Sequence, residues 1–175
     1  MTNSTAQTYS PISNSFLVKA GNDKYLLSEP VSKDEMYSLM LCLLEEQFFR
    51  SDELTSPEKT RQFLNLKLAK LQHEVFSVVY LDTQHQVIGY EELFRGTIDG
   101  AAVYPREVVK RCLHHNAAAV IFSHAHPSGI PEPSKSDIVI TKRLIEALKL
   151  VDIRVLDHIV IGGANSVSMA ERGML

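Results

Sequence analysis

The chain has two cysteines and eight glycines among its 175 residues, and both scarcities remove classes of protein. Cys42 and Cys112 match no C-x-x-C spacing, so a disulfide scaffold, a thioredoxin-like redox pair and a cysteine-bound zinc site are set aside. Both cysteines read as reduced, buried thiols. Eighteen Lys and Arg stand against 21 Asp and Glu, for a net charge of −3, which argues against a globally basic nucleic-acid binder. No window approaches the roughly 18 to 20 apolar residues that span a bilayer. The polar, Ser/Thr-rich start holds no basic segment followed by an apolar one, and a soluble, cytoplasmic protein is the expectation. Neither an internal repeat nor a P-loop or dinucleotide-binding glycine pattern is present.

What the chain does hold is concentrated in His124-Ala125-His126-Pro127-Ser128-Gly129, followed by Pro133-Ser134 and Asp137. Ala117 to Phe122 is a run of small and apolar residues that suits a buried strand. The two histidines then sit at its end. Residues two apart on an extended chain project to the same side, so His124 and His126 can reach one ion while Ala125 points away. Pro127, Gly129, Pro131 and Pro133 stiffen the turn that follows, and Ser134 to Lys149 has a helix pattern with Ile138, Ile140, Leu144, Ile145 and Leu148 among its apolar positions. Asp137 falls in that helix's first turn, facing back to the loop. Two imidazoles and a carboxylate are three of the four ligands of a tetrahedral zinc, and a catalytic site keeps the fourth position for water. One Zn²⁺ per chain at an open, hydrolytic site is therefore expected, with His124, His126 and Asp137 as ligands.

Ser134 and Asp137 have a second reading, because S-x-x-D at a helix start is also a capping arrangement. The two roles can coexist, since a cap uses few of the available lone pairs.

Along the chain, Met1 to about Asn14 is expected to be a disordered polar tail. Residues 15–55 read as an N-terminal extension. In it, Phe16 to Val18 and Tyr25 to Leu27, separated by Gly21-Asn22-Asp23, form a short hairpin or arm. Ser32 with Glu35 is a capping box for a helix whose stripe of Met36, Leu39, Met40, Leu43, Leu44 and Phe48 packs against the core or a partner subunit. Glu45 and Glu46 read as solvated.

Residues 56–175 read as the main domain. Ser56-Pro57 opens a helix through about Leu71, with Phe63, Leu64, Leu68 and Leu71 inward. Strands follow from Glu74 to Leu81 and from Val87 to Phe94, with a turn at Asp82 to Gln86 between them. Pro105 starts a helix, and after the His-bearing strand and its helix come strands from Ile153 to Ile161 and near Val167 to Met169. Strands and helices alternate only partly, so the fold class is α/β of an α+β-like kind: a mixed sheet with helices packed on it.

Arg106, Lys110, Arg111, His114 and His115 cluster on the helix after Pro105. They read first as a solvated face, without aromatic interleaving for base stacking. Arg95-Gly96-Thr97 turns the chain near the site, with Gly96 free to take positive φ. Asp157-His158 is a polar pair at a strand entrance that could orient a ligand from behind. It is left outside the ligand set.

From Ser56 to Gly162 the chain resembles the RadC-like branch of the JAB/MPN metalloprotease superfamily. The likeness rests on H-x-H-P-S-G with P-S-x-x-D, and on HEVFSVVYLDTQHQVI, ELFRGT, VYPREVVKR, HNAAAVIFSHAHPSG and VLDHIVIG. Ala125 stands where that branch usually has Asn, a departure that spares every expected ligand. The resemblance implies a JAB/MPN-like core with a short N-terminal helical extension, and hydrolysis of a peptide or isopeptide bond by a metal-activated water. It implies that Glu74, which alone would read as a solvated residue at a strand entrance, is the general base, and that Ser134 helps hold the oxyanion. It leaves the substrate protein or peptide unnamed. The alternative from the same resemblance is a DNA-associated, repair-linked accessory protein with a structural or vestigial metal. Residues before Ser56 do not resemble a helix-hairpin-helix module, which weakens that alternative. A zinc nucleoside deaminase is disfavoured, because its H-x-E and P-C-x-x-C ligands are missing.

Overall fold

The computed structural model describes residues 17–20, 24–50, 57–96 and 102–175. The polar tail, the Gly21-Asn22-Asp23 turn, Phe16, Ser56 and Thr97 lie outside the described residues, as do the side chains of Glu45, Glu46 and Phe48. The chain divides into two compact units, within residues 1–44 and 45–175.

In the first unit, β1 (Leu17–Lys19) and β2 (Tyr25–Leu27) pair antiparallel. Helix α1 (Lys33–Arg50) starts in that unit and runs into the second. Ser32 and Glu35 form the expected capping box, with Ser32 N–H donating to Glu35 Oε2 at 2.7 Å and Glu35 N–H to Ser32 Oγ at 3.2 Å. The apolar stripe of α1 is only partly covered: Leu39 is buried, whereas Met36 and Met40 are exposed. Cys42 is half-buried and only Cys112 is fully buried, a correction to the reading of two buried thiols.

The second unit is built on a five-stranded mixed sheet. After α2 (Pro57–Leu68) come β3 (Val75–Leu81), β4 (Val87–Arg95), α3 (Pro105–His114), β5 (Ala119–Ala125), α4 (Lys135–Lys149), β6 (Arg154–Gly162) and β7 (Asn165–Ser168). The strand order is β4-β3-β5-β6-β7. β5 and β6 are parallel, joined by α4 as a crossover, and the other neighbours are antiparallel.

Period-two alternation splits the core between the sheet's two faces. On one face Val75, Val79, Leu81, Ala119 and Ala125 pack with Phe63, Leu64 and Leu68 of α2. On the other Phe76, Val78, Tyr80, Val120 and Phe122 pack with Val108 and Cys112 of α3 and Leu144 and Leu148 of α4. Every residue of β3 is buried, which is why Val75 to Leu81 reads as an almost unbroken apolar run.

Several boundaries shift. α2 stops at Leu68, with a turn before Leu71, and β7 begins earlier, at Asn165. β5 continues past Phe122, because β3 and β6 pair with it on both sides as far as His124 and Ala125. Gly96 is not among the positive-φ residues of the described chain, whereas Gly129, at φ 79°, takes that role in the loop after His126.

Candidate metal centre

Four side chains meet at the carboxyl end of β5. His124 lies within the strand, opposite Phe76 of β3 and Val160 of β6, and is buried. The His126 backbone N–H donates to the Ile161 carbonyl at 2.7 Å. This keeps the chain extended through Ala125, so both rings leave from one side while Ala125 packs into the cluster on the α2 face. The two Nε2 atoms are 2.9 Å apart.

Asp137 arrives from the first turn of α4. The Ser134 backbone N–H donates to Asp137 Oδ2 at 2.7 Å and the Asp137 N–H to Ser134 Oγ at 3.2 Å. This capping box starts the helix and also aims the carboxylate. Its Oδ1 lies 3.5 Å from His124 Nε2 and its Oδ2 3.6 Å from His126 Nε2. Cap and site are therefore one arrangement, as the coexistence of the two readings allows.

Glu74 immediately precedes β3, not inside it as the sequence suggests. The antiparallel register that sets Phe76 against His124 carries the entrance of β3 to the histidine end of β5. Gly96 N–H donates to the Glu74 carbonyl at 2.8 Å and so holds that entrance. Donor atoms of Glu74, His124, His126 and Asp137 all lie within 4.8 Å of one another.

This donor set fits a small cation. Bonds of ~2.0 to 2.1 Å to a tetrahedral ion put neighbouring donors about 3.3 Å apart, and the separations of 2.9, 3.5 and 3.6 Å bracket that value. His126 Nδ1 is 2.9 Å from the Ile130 carbonyl. A carbonyl can only accept, so Nδ1 carries the proton and a neutral His126 presents a bare Nε2 to the centre. The charge balance agrees. Burial works to raise Asp137, but its close contacts with His124 and His126 hold its carboxyl well below the usual range. His126 is pushed up by its contact with Asp137, against its burial, with Glu74 adding to the pull.

Behind His124 lie two residues that the ligand pattern does not contain. His124 Nδ1 is 2.8 Å from His158 Nε2, and His158 Nδ1 is 2.6 Å from Thr141 Oγ1. His158 is wholly buried, and burial pushes its pKa well below the ordinary value, with His124 adding to the effect. Thr141 is also buried. The sequence offers one signal for it: a polar residue on the inward face of α4, one turn after Asp137 and in line with Leu144 and Leu148. Asp157 has the structural role. Its carboxylate accepts from the His158 and Ala170 backbone N–H groups at 2.7 and 3.0 Å and from Ser168 Oγ at 2.6 Å.

The loop between His126 and Ser134 is held by its surroundings. A Cβ at Gly162 would lie 2.5 Å from Pro131 N and 2.6 Å from the Ile130 carbonyl carbon. Only glycine lets the loop cross the end of β6 this closely.

The helix read as basic is partly neutralised, since Arg111 forms an ion pair with Glu91 of β4 and His115 Nε2 is 3.1 Å from the same carboxylate. Burial pushes the Cys112 thiol up to about 12, consistent with an inert core residue. Among the described residues no helix is long and apolar enough to cross a membrane.

The chain is similar to a UPF0758 protein of Vibrio cholerae, 53% identical over 152 residues that cover 87% of this chain and 96% of that relative. It is also similar to UPF0758 proteins of Marinobacter nauticus, 59% identical over 133 residues, and of Thioalkalivibrio sulfidiphilus, 61% identical over 132 residues. The match covers 59% of the length of each of these two and about three-quarters of this chain, at 76% and 75%. Residues 54–174 match the family model of the RadC-like JAB domain. That span contains the whole five-stranded sheet and all four converging side chains, and the chain accordingly belongs to the RadC-like JAB domain family.

Proposed function

We propose that this domain is a zinc-dependent hydrolase of the metallopeptidase type that cleaves a peptide or isopeptide bond. The observation that carries the reading is the convergence of His124, His126, Asp137 and Glu74 on one spot at the end of β5. Two imidazoles and a carboxylate form a borderline-soft donor set that suits zinc. Zinc bound there would act as a Lewis acid and lower the pKa of a coordinated water towards ~7.

The chain's own residues supply the rest. His124, His126 and Asp137 hold the ion. Glu74 takes the proton of the attacking water and delivers it to the leaving amine, the work of a carboxylate within reach of both. The Ser134 hydroxyl already accepts from the Asp137 N–H. Its own hydrogen remains available to donate to the oxyanion that develops on the scissile carbonyl. A DNA-associated role has less to stand on, because Arg111 and His115 face Glu91 and are not free to meet phosphate.

Elemental analysis of untagged protein, alongside D137A, H126A and E74Q, tests the reading. About one zinc per chain is expected in the unsubstituted protein and in E74Q, and none in D137A or H126A. Losing the helix-start interaction alone would cost D137A only about 1 kcal/mol of stability. Cleavage of a peptide library, read by mass spectrometry, should be present in the unsubstituted protein and absent in E74Q. Zinc retained by D137A would overturn the ligand assignment, and undiminished cleavage by E74Q would overturn the base.

A further inference from the structure

We infer that His158 and Thr141 are positioning residues that fix which nitrogen of His124 faces the metal; the inference rests on the metal reading above. The chain of contacts runs from His124 Nδ1 to His158 Nε2 at 2.8 Å, from His158 Nδ1 to Thr141 Oγ1 at 2.6 Å, and from Thr141 Oγ1 to the Asp137 carbonyl at 2.5 Å.

Its direction follows from its last member. A carbonyl oxygen only accepts, so the single hydroxyl hydrogen of Thr141 points at Asp137. Thr141 Oγ1 must then accept from His158 Nδ1–H. The neutral His158 ring has no second hydrogen, so its Nε2 accepts from His124 Nδ1–H. His124 is left with a bare Nε2 aimed at the ligand cluster. The reverse order would set two acceptors against each other at Thr141 and Asp137. It would also place a hydrogen on His124 Nε2, where an ion needs a lone pair.

The surroundings hold His158 in place. Phe76 and Phe122 meet its ring edge-on at centroid distances of 5.6 and 5.9 Å. The Met169 backbone N–H donates to the His158 carbonyl at 3.0 Å. The circuit therefore starts at one ligand's ring on β5, crosses β6, and returns through α4 to the main chain of another ligand, Asp137. Ring orientation and carboxylate position become one geometry, the task that hydrogen-bond partners behind a metal site perform.

The test measures zinc affinity by chelator competition on the full chain for the unsubstituted protein, H158Q, H158L and T141V, with unfolding curves run in parallel. Glutamine can accept from His124 through its carbonyl and donate to Thr141 through its amide, so H158Q should stay within about threefold of the unsubstituted protein. H158L should bind zinc about 10- to 100-fold more weakly, and T141V should also bind more weakly, by a smaller factor. In ¹⁵N spectra of the histidine side chains, His124 should carry its hydrogen on Nδ1.

Unchanged affinity in H158L overturns the inference, and where H158L fails to fold, unchanged affinity in T141V does so. If the unsubstituted protein takes up no zinc, the metal reading fails separately. The metal-free ¹⁵N spectrum then decides the hydrogen-bond chain: a hydrogen on His124 Nδ1 supports it and one on Nε2 overturns it.

Discussion

Arg111 belongs by sequence to a basic face with Arg106, Lys110, His114 and His115, yet it turns its guanidinium onto Glu91. Tyr80 O–H donates to the same carboxylate at 3.1 Å and its ring stacks on His115 at 4.1 Å. Burial works to raise Glu91, but the hydrogen bonds from Arg111, with the His115 ring close by, prevail and hold it below its ordinary 4.5. A carboxylate depressed on folding contributes stability that is complete above the unfolded pKa and is lost as pH falls through the folded value. E91Q should therefore be less stable than the unsubstituted protein at pH 7, and the gap should close on acidification below 4.5. Urea unfolding of both proteins at neutral and acid pH checks this, and a gap of constant size would contradict it. His124, His126 and Asp137 are legible as a group because their spacing is local. Glu91 is not legible, since its partners come from β3 and from α3 and its C-cap, and no spacing in the sequence reports how those elements meet.

At the scale of elements, the site depends on close passage of the loop after His126 over the end of β6. Gly162 and Gly129 serve that passage differently. Gly129 has a left-handed φ of 79° with open space where a Cβ would stand, whereas a Cβ on Gly162 would run into the backbone of Gly129, Ile130 and Pro131. G162A should displace the loop and lengthen the bond from His126 Nδ1 to the Ile130 carbonyl. The expected cost is about 1 to 3 kcal/mol, as for overpacking, together with weaker zinc binding. G129A should cost about 1 to 2 kcal/mol through backbone strain and leave zinc affinity nearly unchanged. Thermal melts with chelator titrations of the two variants separate these effects, and equal zinc losses would contradict the distinction. Helix starts are readable from Ser32 with Glu35 and from Ser134 with Asp137, because capping is a contact across three residues. The end of β5 is not readable, since ladder pairing with β3 and β6 sets it.

Across the whole molecule, the converging residues come from the entrance of β3, the end of β5 and the start of α4, which unfolding would separate. An ion bound by them stabilises the folded state by mass action, by about 2.7 kcal/mol at 100 times the dissociation constant. For a chain of this size that corresponds to a rise in Tm of about 5 to 10 °C. Added zinc should produce that rise, a chelator should reverse it, and H126A should show neither response in a scanning melt. Identical melts with and without zinc in the unsubstituted protein would count against a site shared between these elements.

The sequence by itself determined the mixed α/β fold class, the H-x-H spacing that puts two rings on one side of a strand, the helix that brings Asp137 back to them, and the family to which the chain belongs. Each rests on periodicity, capping or a run of matching residues, which are properties of neighbours along the chain. Only the tertiary structure decided how Glu74, implied by the resemblance, reaches the histidines: the sheet register carries the entrance of β3 to them. It also showed that His158 and Thr141 stand behind His124, that Asp157 serves the last turn instead, and that part of the basic helix is occupied by Glu91. These depend on sheet register and on the crossover of α4, which join residues far apart in sequence, and the final arrangement comes from packing against partners that no local pattern encodes.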